Sequence, residues 1–157
     1  MTATIELNDA CPGHWTPDFN FCLRVLTTAC RAIDLNHDVT ISLRFVDAEE
    51  SLALNSRWRE KNTSTNVLAF RADWPEELKD NITSEPLGDI VICPIVLEAE
   101  AREQLKNLED HWAHILVHGF YHLIGYNHMT ESESATMEAL ETECLKKLGI
   151  SNPYLLG

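Results

Sequence analysis

The chain has 157 residues, 45% of them apolar and 24% charged, a balance that suits one domain spanning 1–157 with its own core and excludes wholesale disorder. A net charge of −13 excludes a general coat for nucleic acid, which needs clustered Lys and Arg. No stretch nears the roughly 20 apolar residues of a bilayer span. The N-terminal MTATIELNDACPGHW lacks the basic-then-apolar pattern of a signal peptide, so no membrane partner and a cytoplasmic location are expected. The five cysteines are odd in number and form no C-x-x-C pair, which favours reduced thiols packed as small core hydrophobes.

In chain order, TATIEL alternates and predicts a strand. Asp18 is positioned to cap an amphipathic helix from Phe19 to about Ala32, with Phe21, Cys22, Val25, Leu26 and Ala29 on one side. VTISLRFV (39–46) alternates again, and Asp47 then caps a helix to about Trp58 that carries Leu52, Ala53 and Asn55. REKNTSTN reads as a polar loop before a short strand, VLAF. After a turn-rich stretch from Asp73 to Pro86, GDIVIC reads as a buried strand. Pro94 suits the first turn of a helix running to about Gln104. Two more helices follow, at about 108–124 and 131–148, the second ending at Gly149. The elements mix without strict alternation. The expected class is therefore α/β or α+β, with one small mixed sheet of about four strands covered by helices and a cleft at the end of a central helix.

Charge is uneven. Residues 38–71 hold five basic residues (Arg44, Arg57, Arg59, Lys61, Arg71) against five acidic ones, leaving seven basic and twenty acidic elsewhere. A polyanion would be met at that one neutral-to-basic patch; the plainer reading is a mixed solvated surface.

The most informative stretch is HWAHILVHGFYHLIGYNH, residues 111–128. At 100° per residue, Trp112, Ile115, Leu116, Gly119, Phe120 and Leu123 fall on one stripe facing the core. His111, His114, His118 and His122 form a neighbouring stripe about 80° wide. His118 and His122, at i and i+4, project from one side, where two imidazoles can bite one ion. Gly125 permits the turn that ends the helix and lets His128 fold back as a third ligand. Three protein ligands leave a tetrahedral ion one position for water, the arrangement of a catalytic zinc site with one Zn2+ per chain. For His111 and His114 a structural role is favoured, although His114 is placed to support a ligand. The zinc proteases carry Glu after the first His of H-E-x-x-H as general base. Here that residue is Gly119, which argues against peptidase chemistry.

HGFYHLIGYNH resembles the H-G-x-x-H-L-x-G-Y-D-H signature of the YbeY family of bacterial endoribonucleases. ALNSRWREKNTSTNVLAF, LGDIVIC and MEALETE are similar to further elements of that family, so the resemblance spans about residues 39–148. It implies a small sheet flanked by helices and a metal-dependent endoribonuclease acting on single-stranded RNA. It also implies a part in late 16S rRNA 3′-end maturation and ribosome quality control, with the small ribosomal subunit or assembly proteins as partners. By position, His118, His122 and His128 inherit the ligand role, and Arg59 that of an arginine important for activity. Asn127 stands where the family usually has Asp, and Ser64 and Ala69 replace its usual Pro and Ser.

A guanidinium at Arg59, flanked by Arg57 and Lys61, suits phosphate oxygens and negative charge developing in a transition state. Arg59 and His118 are accordingly the candidate catalytic residues. Trp58, Tyr121 and Tyr126 are offered as base-stacking platforms against the commoner role of core or rim. Asp89 is open between approaching the cleft as a base and bonding a backbone turn. DNA is not an expected partner. Two rival readings stand beside the ribonuclease: an assembly or stress factor with a mainly structural zinc, and a metallohydrolase of another substrate.

Overall fold

A computed structural model describes residues 3–35, 37–59, 66–72 and 84–154, with side chains for all of these except 57–59. Four strands form one mixed sheet: β1 (Ala3–Asp9), β2 (Val39–Phe45), β3 (Val67–Arg71) and β4 (Glu85–Ile92), in the order β1-β2-β4-β3. β1 pairs β2 and β2 pairs β4 in parallel, while β3 closes the edge antiparallel to β4. The expected mixed sheet is present. β4 begins earlier than its sequence suggests, taking in Glu85 and Pro86 from the stretch read as turns. Proline is tolerated there because the register slips just beyond it, between Thr40 and Ile41 of β2. Gly88 makes the pairing with β3 possible: at φ 139°, a Cβ on it would stand 2.0 Å from the Phe70 carbonyl oxygen.

Strand alternation sends Ile5, Ile41, Leu43, Phe45, Ile90 and Ile92 into one core, each no more than 6% exposed. Burying side chains of this size contributes about 1.5–3 kcal/mol apiece. α1 (Phe19–Ala32), capped by Asp18, packs on that face with Cys22, Val25, Leu26 and Ala29 inward. The other face carries a smaller cluster of Val46, Leu68 and Val91, joined by Leu54 of α2 (Ala48–Arg59). Asp47 caps α2 as expected, with its Oδ1 accepting from Glu50 N at 2.8 Å. The inward positions of α2 match the expectation in part: Asn55 is buried as expected, but Ser51 is buried beside it and Ala53 is exposed. Ser51 and Asn55 are one turn apart, so the helix turns a polar seam inward beside Leu54.

α3 (Pro94–Glu103) starts on its proline, α4 (Leu108–Ile124) is the central helix, and α5 (Glu131–Lys147) packs beside it. α4 lies directly on β3 and β4, and Gly119 allows this closeness. A Cβ there would meet Ile90 Cγ2 at 2.9 Å and Val67 Cγ2 at 3.2 Å. All five cysteines are buried and unbridged. No helix among the described residues is long and apolar enough to cross a membrane.

Candidate metal centre

α4 ends as its sequence predicts. Gly125 takes φ 120° and its N–H donates to the carbonyls of His122 and Tyr121, so the chain reverses and brings His128 back over the last turn. The ring of His128 stacks on that of His118, with centroids 5.4 Å apart, and lies edge-on to His122 at 5.0 Å. One ring nitrogen from each of His118, His122 and His128 lies within 4.8 Å of the others. Nε2 of His118 and Nε2 of His122 are 3.1 Å apart. Tetrahedral bonds of about 2.0–2.1 Å place ligand nitrogens about 3.4 Å from each other, so the spacing fits one zinc-sized ion.

Protonation fits as well. Burial, reinforced by His118 and His128, pushes His122 down to about 4, so its ring is neutral near pH 7. His118 turns Nδ1 toward Oε1 of Glu141 at 3.0 Å. An ionised carboxylate only accepts, so Nδ1 carries the proton and Nε2 keeps its lone pair toward His122. Nε2 of His122 faces that lone pair at 3.1 Å, a contact satisfied by a proton shared as N–H···N or by an ion held between the two rings. The donor set therefore suits a metal.

Glu141, on α5, is the residue that sequence reasoning missed. It is 1% exposed, and its Oε1 also accepts from Nε2 of His114 at 2.9 Å. Burial alone would raise its carboxyl, but the bonds from His114 and His118 outweigh that and hold it at about 2. One signal was available: Glu141 sits on the stripe of α5 that also holds Met137, Cys144 and Leu145, an acid where the period demands an apolar residue. His114 thus reaches a proposed ligand's partner, as one reading of it expected. His111 instead pairs Glu100 of α3 at 3.0 Å.

Other candidates divide. Tyr121 is fully buried, its hydroxyl donating to the Ala29 carbonyl at 3.3 Å, so it is a core residue and not a base-stacking platform. Tyr126 is partly buried against it. Asp89 does not approach the histidines. Its neighbour Ile90 faces α4, and strand alternation turns Asp89 to the opposite face with Val91. Arg44 shares that face and is paired with Glu50 at 2.9 Å. Position 119 points at the sheet, so the glutamate of a zinc protease has no room in this helix. Asn127 keeps its Oδ1 buried with no partner among the described residues. Arg59 ends α2, but its side chain, like those of Arg57 and Trp58, lies outside the described residues, as do Lys61 and Ser64. Arg71, exposed at the end of β3, extends over the turn between His122 and His128: a Cβ on Gly125 would stand 3.8 Å from its Nη1.

The sequence profile of the YbeY family, described as Endoribonuclease YbeY, matches residues 18–149. The chain belongs to the YbeY family. It is 42% identical over 142 residues to the endoribonuclease YbeY of Francisella tularensis subsp. tularensis (strain WY96-3418), covering 90% of this chain and 87% of that one. It is 49% identical over 133 residues to the endoribonuclease YbeY of Acinetobacter baumannii (strain ATCC 17978), covering 83% and 84%. The YbeY-like fold is also that of the solution structure of TM1509 from Thermotoga maritima, which aligns at a TM-score of 0.58. There the identity is 19%, covering 98% of this chain and 99% of the other.

Proposed function

We propose that this chain is a single-domain, zinc-dependent endoribonuclease that cuts single-stranded RNA and acts in late 16S rRNA 3′-end maturation and ribosome quality control. The observation that carries this is the cluster of three imidazoles at the end of α4, with His118 oriented by Glu141. An ion held by His118, His122 and His128 supplies Lewis acidity toward phosphate and makes a water more acidic. The protein's own part is to hold the three lone pairs convergent, which the capping turn at Gly125 and the carboxylate of Glu141 both serve. Arg59 contacts the scissile phosphate in this reading, and Arg71, exposed beside the His122–His128 turn, adds a second cation for the RNA backbone.

With a net charge of −13, binding to free mixed-sequence RNA is expected to be weak, so targeting falls to a ribosomal or assembly partner. The five buried, unbridged thiols suit the reducing cytoplasm.

The test compares wild type with His118→Ala/His122→Ala, Arg59→Glu and Arg71→Ala, measuring bound metal and cleavage of single-stranded ribosomal RNA. The wild type should carry about one zinc and cut. The double-histidine variant should lose both metal and cutting. Arg59→Glu should keep its metal and lose cutting, and Arg71→Ala should keep metal while KM rises several-fold. If all four cut alike, the cutting is a contaminant and a structural zinc in an assembly factor replaces this reading.

A further inference from the structure

The two oxygens of Glu141 are satisfied differently. Oε1 is shared by the imidazoles of His114 and His118. Among the described residues, Oε2 has one donor, the hydroxyl of Tyr154, at 3.0 Å. The same hydroxyl lies 3.1 Å from Oε1 and 3.1 Å from Nε2 of His114, with the tyrosine ring edge-on to the imidazole at 5.3 Å. Tyr154 comes from beyond α5. Gly149, at φ 79°, turns the chain as α5 ends, and Asn152 accepts from the Tyr154 N–H at 2.8 Å. Tyr154 as a residue is 41% exposed, yet its hydroxyl reaches the carboxylate of a glutamate that is 1% exposed. The residue also lies outside the stretch matched by the family profile, which ends at 149.

We propose that Tyr154 is a positioning residue for the metal centre, its hydroxyl locking the Glu141 carboxylate so that Oε1 faces His118. A carboxylate anchored at one oxygen only can rotate about its terminal bond, and the His118 imidazole that it orients then loses its fixed tautomer. With the second oxygen held by Tyr154, that rotation is blocked and the lone pair on Nε2 stays aimed at His122. The C-terminal segment therefore completes the support of the metal site from behind. This rests on the reading of His118 as a ligand.

Tyr154→Phe keeps the ring and removes only the hydroxyl. Metal affinity is read by cobalt titration in visible absorption and by zinc competition with a chromophoric chelator. The expected loss is about tenfold, the low end for outer partners of metal ligands. Nitrogen-15 spectra of the metal-free protein should show His118 passing from one tautomer to a mixture. Tyr154→Phe and Glu141→Gln should be non-additive, because one acts through the other. Asn152→Ala, which loosens the turn carrying Tyr154, should shift affinity in the same direction by less. A Tyr154→Phe protein that binds cobalt and zinc as tightly as wild type, with an unchanged His118 tautomer, overturns the proposal even if its melting temperature falls, since the tyrosine then only pins the tail. A wild-type protein that binds no metal overturns both this proposal and the reading beneath it.

Discussion

Three histidines of α4 pair with two glutamates, and the first and last of these pairs are built in opposite senses. Near the first turn, His111 gives Nε2 to Glu100, whose carboxylate also takes both bonds of the Asn66 amide at 3.2 Å. Its Nδ1 is buried without a partner among the described residues. Toward the last turn, His118 gives Nδ1 to Glu141 and leaves Nε2 facing His122. Which nitrogen the carboxylate takes decides what the ring can do. The far nitrogen of a helical histidine reaches outward, so a pair made through Nε2 leaves only Nδ1, which in His111 and His114 is buried against the helix and away from the cluster. His111 therefore ties α4 to α3 and to the start of β3, while His118 leaves its outer nitrogen facing His122, where the proposed ion would sit. His114 follows the His111 pattern although it shares Glu141, and so it supports the site without joining it.

The sharpest way to break this comparison is to neutralise each carboxylate in turn. Glu141→Gln should lower zinc affinity about 10- to 100-fold, since the amide can no longer fix the His118 tautomer as an acceptor at both oxygens. Glu100→Gln should leave zinc affinity unchanged and lower only the melting temperature. Chelator competition on both variants decides it, and equal losses would show that the two pairs are not different in kind.

The clustering of the three histidines was legible in the sequence because helical periodicity alone puts His118 and His122 one turn apart, and Gly125 announces the reversal that returns His128. Glu141 was not, because its partnership with His118 runs between two helices, and no local period specifies which face of α5 meets which face of α4. The face of Asp89 was recoverable in principle: once Ile90 is assigned to the core, alternation sends Asp89 away from it. The start of β4 was hidden by Pro86, a residue that argues against a strand unless a register slip sits beside it. Arg59 was picked out by resemblance, and its side chain lies outside the described residues.

A smaller effect separates packing from chemistry on the same helix. Gly119→Ala drives a methyl to 2.9 Å from the branched, stiff side chain of Ile90. Overpacking of this kind costs about 1–3 kcal/mol, and the gain in helix propensity returns about 1 kcal/mol. A net loss of about 1 kcal/mol should lower the melting temperature by about 2–4 °C. Zinc stoichiometry should hold, because the stripe facing the sheet is not the stripe facing the ion. If zinc is lost with so small a change in stability, the two stripes are coupled more tightly than the contrast between the pairs implies.

The gentlest probe is acid applied to the metal-free protein. His122 is held at about 4 in the fold, against an ordinary value of 6.5. Between these values the unfolded chain binds a proton that the folded chain refuses, so stability present above about pH 6.5 drains away as the pH falls toward 4. Glu141 is depressed as well, from 4.5 to about 2, and its stabilising share is kept until the pH drops below about 4.5. Two windows should therefore appear in urea midpoints of the stripped protein: one between pH 6.5 and 4 that His122→Gln flattens, and a second below pH 4.5 that it leaves alone. With zinc present the upper window should steepen, because protons compete directly for the ligand nitrogens. A flat upper window in the stripped protein would mean that the His122 ring is fully hydrated before metal arrives. The imidazoles would then be gathered by the ion, and only the carboxylate behind His118 would be built in advance.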